Sequence, residues 1–83
     1  MSKHRRRNVE LLEPARTVIE RVGGIKAASQ ATGCHFSRVY RWMRPREVGG
    51  TNGLVPAEYQ RKLLEYARSQ QRELKPEDFF CAA

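Results

Sequence analysis

Four side chains of the types that bind zinc or act as nucleophiles and bases stand out in the sequence, namely His4, Cys34, His35 and Cys81. Structural zinc sites pair their ligands roughly two to four residues apart. Cys34 and His35 are instead adjacent and the other two lie far from them, so the spacing does not favour a metal site. Adjacent side chains on a helix or turn point apart, so we expect a small buried cysteine beside an exposed histidine rather than an activated thiol.

The rest of the sequence gives no support to catalysis or cofactor binding. It has no phosphate-binding loop, no nucleophile elbow and no pair of carboxylates in an apolar setting. We therefore expect neither an enzyme nor a cofactor site. No apolar signal-peptide core precedes the cysteines, which predicts reduced thiols and a cytoplasmic protein that does not enter the membrane.

The lysines and arginines are the residues most informative about function. Sixteen of them stand against nine Asp and Glu, which gives the 83 residues a formal charge of +7. Residues 1–46 carry +8 and residues 47–83 carry −1, so the positive field belongs to the first half. A clustered excess of cations gains affinity for DNA or RNA by releasing condensed counterions. The second half is interpreted as a neutral scaffold or a protein-facing surface.

These side chains must be positioned by helices, because the apolar residues recur at helical spacing. We predict an all-α fold, a small bundle of four to five short helices, with a flexible basic arm over 1–8 and a single domain over 9–83. The predicted helices cover 14–22, 25 to about 31, 36 to about 43 and 56 to about 70, with a further helical turn in 74–80. Residues 46–55 are expected to form a flexible glycine-rich loop, the alternative being a two-stranded wing.

Residues 25–44 match the spacing of a helix-turn-helix. That motif has a glycine in the turn, small side chains about four to five positions before it, and apolar side chains about six and nine positions after it. The sequence supplies these as Gly33, then Ala28 and Ser29, then Val39 and Trp42. The alternative is a helix hairpin used only for packing. Against it, the outer face of the second helix combines cationic, hydrogen-bonding and aromatic side chains, which is unfavourable unless a partner binds there.

Several short motifs carry a resemblance to a known group of proteins. They are Gly23-Gly24, Ile25-Lys26-Ala27-Ala28, Thr32-Gly33 and Ser37-Arg38-Val39-Tyr40-Arg41-Trp42. Through them, and through a Val55-Pro56 that opens the next helix, residues 18–80 resemble the phage Cro, CII and YdaS-type regulators of the lambda repressor-like superfamily. Two features depart from the group, since Ser29 stands where alanine is commoner and the loop at 46–54 is long and rich in glycine.

The resemblance implies that the second motif helix lies in the major groove of double-stranded DNA, its first turn nearest the base edges. It thereby assigns base contacts to His35, Phe36, Ser37, Arg38 and Arg41. Both arginines suit bidentate bonds to guanine O6 and N7. Phe36 either contacts a thymine methyl or joins the core. Ser37 is expected to cap the helix and bind a phosphate through the same hydroxyl.

Contacts to phosphates or to the minor groove are expected from residues around these. They are Arg5, Arg6, Arg7, Lys26, Tyr40, Arg44 and Arg46. Lys26 lies near the start of the first motif helix, where free backbone amides also favour an anion. Tyr40 either bonds a phosphate or packs within the chain. The three arm arginines either follow the minor groove or only raise the local charge, and Trp42 is expected in the core.

The function that these expectations describe is a sequence-specific, DNA-binding transcriptional regulator of the phage or prophage type, acting as a repressor on the nucleoid. One recognition helix reads few base pairs, so we expect a homodimer on a palindromic or repeated operator. Its dimer surface is expected within residues 56–83, at the fourth helix with Phe79, Phe80 and Leu74. The alternative for the two phenylalanines is that they pack on the core. The alternatives are an architectural DNA-binding protein with little sequence preference and an antitoxin-type module that binds another protein.

Overall fold

The structure, a computed structural model, describes residues 11–80 of the chain. Over this range it has four α-helices, two short 3₁₀ helices and no β-strand. The α-helices are α1 (Ala15–Val22), α2 (Ile25–Thr32), α3 (Phe36–Arg41) and α4 (Ala57–Ser69), and the 3₁₀ helices cover Arg46–Val48 and Pro76–Phe79. The predicted all-α class is therefore confirmed, and a two-stranded wing does not form in residues 46–55.

A single core lies between the helices. Its largest fully buried side chains are Trp42, Phe79, Leu63, Val18, Val22 and Val39. They come from α1, α3, α4, the turn after α3 and the last 3₁₀ helix, and Ala28 of α2 joins the same apolar cluster. Within that range no helix is long and apolar enough to cross a membrane.

The two ends of helix α1 are set by nearby residues, Glu13 at its start and Gly23 at its end. The Glu13 carboxylate accepts hydrogen bonds from the Thr17 amide and the Arg16 guanidinium, each at 3.0 Å. Partial burial raises the pKa of this carboxyl, but the bonds from Thr17 and Arg16 outweigh burial and leave it lower than usual. The helix ends at Gly23, whose left-handed backbone lets the Gly24 amide bond the Ile19 carbonyl at 2.8 Å.

The connection between α2 and α3 is a tight turn centred on Gly33. Its φ of +78° is strained for residues with a Cβ, which is why glycine is needed there. The Thr32 hydroxyl donates to the Ala28 carbonyl at 2.8 Å and accepts from the Cys34 amide at 3.3 Å. The Ser29 hydroxyl bonds the Cys34 carbonyl, so the small residue at this position also fastens the turn.

Helix α3 is shorter than predicted and ends at Arg41 rather than near Met43. After Arg41 the backbone tightens, since the Trp42 and Met43 amides bond the carbonyls three residues earlier, at 3.1 and 3.0 Å. Backbone amides of the loop that starts at residue 46 donate hydrogen bonds to the carbonyls at and after the end of α3. The Thr51 amide bonds the Arg41 carbonyl at 3.0 Å and the Asn52 amide bonds the Arg44 carbonyl at 2.9 Å. The glycine-rich segment that was expected to be a flexible loop is thus a series of hydrogen-bonded turns.

The C-terminal 3₁₀ helix is fastened to α1. Asp78 is buried, accepts from the Lys75 amide at 2.9 Å and pairs with Arg21 at 3.1 Å. This places Phe79 in the core, 1% exposed, while the next residue, Phe80, is 72% exposed. Of the two locations that the sequence left open for this pair, the core and a dimer surface, Phe79 takes the core, because its ring fills the space between α1 and α4.

Candidate nucleic-acid interface

The core fixes which side of α3 faces outwards. Val39 and Trp42 are buried, at 0% and 1% exposure, so they pin the inner side of the helix and its following turn to the rest of the domain. All five residues predicted for base contacts are exposed, namely His35, Phe36, Ser37, Arg38 and Arg41. They belong to one short segment, so the structure brings them together on the helix and its N-terminal residue.

The first turn of α3 is capped by His35 rather than by Ser37. His35 has an extended backbone, and its Nδ1 accepts from the Ser37 amide at 3.1 Å, with the Ser37 hydroxyl 2.9 Å away. The prediction that Ser37 caps the helix is wrong, because Ser37 is already the second helical residue. With Nδ1 accepting, a neutral imidazole carries its proton on Nε2. That donor has no partner within residues 11–80 and remains for a ligand.

The cap predicts a difference between two substitutions of His35. His35→Ala removes the acceptor for the Ser37 amide and is expected to lower the free energy of unfolding by about 0.5–2 kcal/mol. His35→Asn keeps an N-cap acceptor and is expected to recover most of that loss. Urea unfolding measures both. Both variants also lose the contact between the His35 and Phe36 rings, so equal stabilities would mean that the cap contributes nothing.

Two aromatic side chains lie on the exposed side of α3. Phe36 is 59% exposed and therefore is not a core residue, which was the alternative left open by the sequence. The His35 ring packs against it, with centroids 4.2 Å apart and planes tilted by 31°. Tyr40 is 36% exposed and lies one turn further on, with the Arg44 guanidinium carbon 5.9 Å from its ring centre.

Arg38 and Arg41 line one side of a groove of about 340 Å³ beside α3. Glu58 and Tyr59, from the first turn of α4, line the groove as well. Neither arginine forms an ion pair with a carboxylate of residues 11–80. Both guanidinium groups therefore keep their donors available to a ligand with paired acceptors.

Tyr59 fixes the position of this groove relative to the core. Its ring stacks on Trp42 at a centroid distance of 5.3 Å. The Cys34 thiol, and next the Glu58 carboxylate, lie against its hydroxyl and raise the pKa of the phenol. Cys34 itself is buried and His35 exposed, which confirms the predicted arrangement of that pair. Tyr59 thus connects α4 to both the turn before α3 and the turn after it.

The cations that follow α3 are positioned by the loop. The Asn52 side chain accepts from the Arg46 amide at 3.0 Å, and the Thr51 hydroxyl donates to the Trp42 carbonyl at 3.2 Å. These bonds hold the 3₁₀ helix that carries the exposed Arg46 against the end of α3. Arg44 is half-buried, with its guanidinium near the Tyr40 ring.

The remaining predicted contacts lie at the edges of the described region or outside it. Lys26 is exposed and lies in the first turn of α2. Arg5, Arg6 and Arg7, with the zinc-type residues His4 and Cys81, lie outside the described residues. Among residues 11–80, no group of three or more His, Cys, Asp or Glu lies close enough together to hold a metal ion.

Two residues that build this site were not predicted from the sequence. Gly50 lies where an added Cβ would overlap the Arg44 carbonyl oxygen and approach the Arg41 carbonyl oxygen to 2.7 Å. These carbonyl groups belong to the last residue of α3 and to the turn that follows it. In the sequence, only the Gly49-Gly50 pair indicated that two stretches of backbone approach closely here. Glu58 is the second, because nothing in its local sequence places it beside the arginines of α3.

Comparisons of the chain with protein-family models, with curated proteins and with solved structures find no match.

Proposed function

We propose that this chain is a sequence-specific, double-stranded-DNA-binding transcriptional regulator, a repressor of the phage or prophage type that acts on the nucleoid in the cytoplasm. The observation that carries the proposal is the exposed side of α3. It presents two arginines that form no ion pair with residues 11–80, a histidine Nε2 donor and a phenyl ring, while the core holds the opposite side of the helix. An α-helix fits the major groove, and these are side chains that bind base edges there.

The distribution of charge supports the same partner. Residues 21–46 contain six Lys and Arg and no Asp or Glu, so the helix-turn-helix is uniformly cationic. Lys26 in the first turn of α2 and Arg46 after α3 flank the exposed residues of α3 in sequence and are suited to bind phosphates on either side of a groove. Duplex DNA matches this surface, because its phosphates can bind the flanking cations and the base edges between them carry hydrogen-bond acceptors.

Homodimerisation remains part of the proposal, with a reduced set of residues. In α4 the apolar residues Leu63 and Ala67 are buried in the chain's own core, and Phe79 is buried as well. Phe80 is the largest exposed apolar side chain of residues 56–80. We expect Phe80 to contribute to the contact between two copies, and sedimentation of Phe80→Ser against the unmodified chain measures this.

Selection of bound duplexes from random DNA tests the function. A regulator is expected to enrich one motif, with a second half-site if it binds as a dimer, and to prefer that site by about 10³-fold or more over unrelated duplex at physiological salt. Binding without an enriched motif would instead identify an architectural protein. The absence of duplex binding would contradict both.

Deletion of residues 1–7 tests the expected role of the arm, which lies outside the described residues. The truncated chain is expected to bind every duplex more weakly because it lacks Lys3, Arg5, Arg6 and Arg7. The plot of log affinity against log salt is expected to become shallower by about 0.9 for each phosphate contact that is lost. An unchanged slope would show that the arm does not contact phosphates.

A further inference from the structure

Phe36 is a large apolar side chain in a surface that is otherwise polar and cationic. It lies at the first position of α3 and is 59% exposed. The His35 ring packs against it at 4.2 Å, so an aromatic neighbour holds the phenyl ring beside the helix start. Nothing in the core of residues 11–80 uses this ring, since Val39 and Trp42 anchor the helix from the other side.

The chemistry of the ring restricts what it can contact in a DNA groove. A phenyl ring has neither a hydrogen-bond donor nor an acceptor, so placing it on a polar base edge removes water without replacing the lost hydrogen bonds. The major-groove edges of the four base pairs carry a single kind of apolar group, the methyl group at C5 of thymine. The surrounding cations favour DNA as the molecule that supplies this group.

We propose that Phe36 reads the methyl group at C5 of a pyrimidine, and that the chain therefore distinguishes 5-methylcytosine from cytosine at one base pair. The inference rests on the proposed function, since it requires α3 to lie in the major groove. At C4 of the pyrimidine, thymine has a hydrogen-bond acceptor and 5-methylcytosine a donor. A phenyl ring forms hydrogen bonds with neither group, so it does not distinguish them. Thymine and 5-methylcytosine are thus equivalent for this residue, and uracil and cytosine both lack the group that it contacts.

A consequence is that cytosine methylation becomes an input to the regulator. A site with cytosine at this position is weak when unmodified and stronger after methylation at C5. The expected difference is about fourfold in affinity, which is the effect of removing one methyl-sized group from water.

Single-methyl changes in the DNA test the inference without altering the protein. In the duplex recovered by selection, each thymine is replaced in turn by deoxyuridine. At the position that responds, the pair is then changed to C·G and to 5-methylcytosine·G. The unmodified chain is expected to lose about fourfold in affinity on thymine to uracil at one position of the half-site, and to gain about fourfold from cytosine to 5-methylcytosine there.

Two variants assign the effect to Phe36. Phe36→Ala is expected to bind all four duplexes without a methyl preference at that position, and thermal melting checks that it folds. Leu54→Ala removes another exposed apolar side chain, 51% exposed and outside α3, and is expected to keep both differences. The DNA substitutions in the unmodified chain provide a readout that no folding defect affects.

Several results would overturn the inference. One is a selected site in which no thymine responds to uracil, and another is equal affinity for cytosine and 5-methylcytosine. A methyl preference that persists in Phe36→Ala assigns the contact to a different residue. Tighter binding of the single-stranded oligonucleotide, lost in Phe36→Ala, would identify the ring as a stacking platform for unpaired bases. The first three results leave the proposed function intact, whereas a preference for single strands or failure to recover any motif removes the proposed function and the inference together.

Discussion

Arg41→Ala is expected to weaken binding to the selected duplex by about five- to 150-fold, which corresponds to about 1–3 kcal/mol. Arg41 is exposed on the last turn of α3 and has no carboxylate partner within residues 11–80, so its donors are not used in holding the fold. The loss should therefore appear in affinity and not in stability. Titration of the variant with the selected duplex, together with its thermal melting curve, measures both quantities.

The same variant should lose discrimination at one base pair. If Arg41 bonds guanine O6 and N7, then replacing that guanine by 7-deazaguanine weakens binding of the unmodified chain and has no further effect on Arg41→Ala. Arg68→Ala is the matched control because it removes the same charge from an exposed position at the end of α4, beside residues 72–76. An Arg41→Ala affinity equal to that of Arg68→Ala would show that the end of α3 does not face the bases.

Gly50→Ala is expected to have the largest effect on the fold. The added Cβ would overlap the Arg44 carbonyl oxygen, which belongs to the backbone and cannot rotate away. The loop would have to leave the end of α3, breaking the bonds from Thr51 to Arg41 and from Asn52 to Arg44. We expect a loss of at least about 1–3 kcal/mol in the free energy of unfolding. For a domain of this size the Tm would fall by about 4–8 °C for each kcal/mol.

The neighbouring glycine separates this clash from general loop strain. Gly49 has a φ of +88°, yet an added Cβ there would meet nothing within 4 Å. Gly49→Ala should therefore cost only the backbone strain of about 1–2 kcal/mol and leave the loop seated. We expect Gly50→Ala, but not Gly49→Ala, to weaken DNA binding beyond its effect on stability, because Arg46 is positioned by this loop. Equal DNA affinities for the two folded variants would contradict the role given to the loop.

The elements could be predicted from the sequence where their causes are local. The apolar spacing in α1 and α4, the glycines at 23 and 33, and the proline before α4 each act within a few residues, and the structure agrees with them. The end of α3 could not be predicted, because it depends on amides at residues 51 and 52 that compete for its carbonyls. Phe79 and Phe80 are equivalent as sequence, and only the anchoring of Asp78 to Arg21 decides which ring enters the core.

The sequence predicted which residues of the candidate site are exposed better than it predicted what each side chain does there. The spacing of a helix-turn-helix placed the correct residues of α3 on the outside. It could not separate a cap from a contact at the first turn, since serine is a common N-cap and histidine is not. Phe36 was undecided for a similar reason, because the first residue of a helix lies at the margin of the buried stripe and its exposure depends on how α2 crosses.

Helix α3 contains only six residues. Isolated helices shorter than about 12–15 residues are marginal in water, so this one exists only while α2, the loop and α4 hold it. A peptide of Phe36–Arg41 would therefore have the sequence of the interface but would not be helical on its own. It also follows that the exposed side of α3 and the rest of the domain unfold as one cooperative unit. Bound operator should then raise the unfolding temperature in proportion to the logarithm of its concentration, and a destabilised mutant should be rescued by its own DNA.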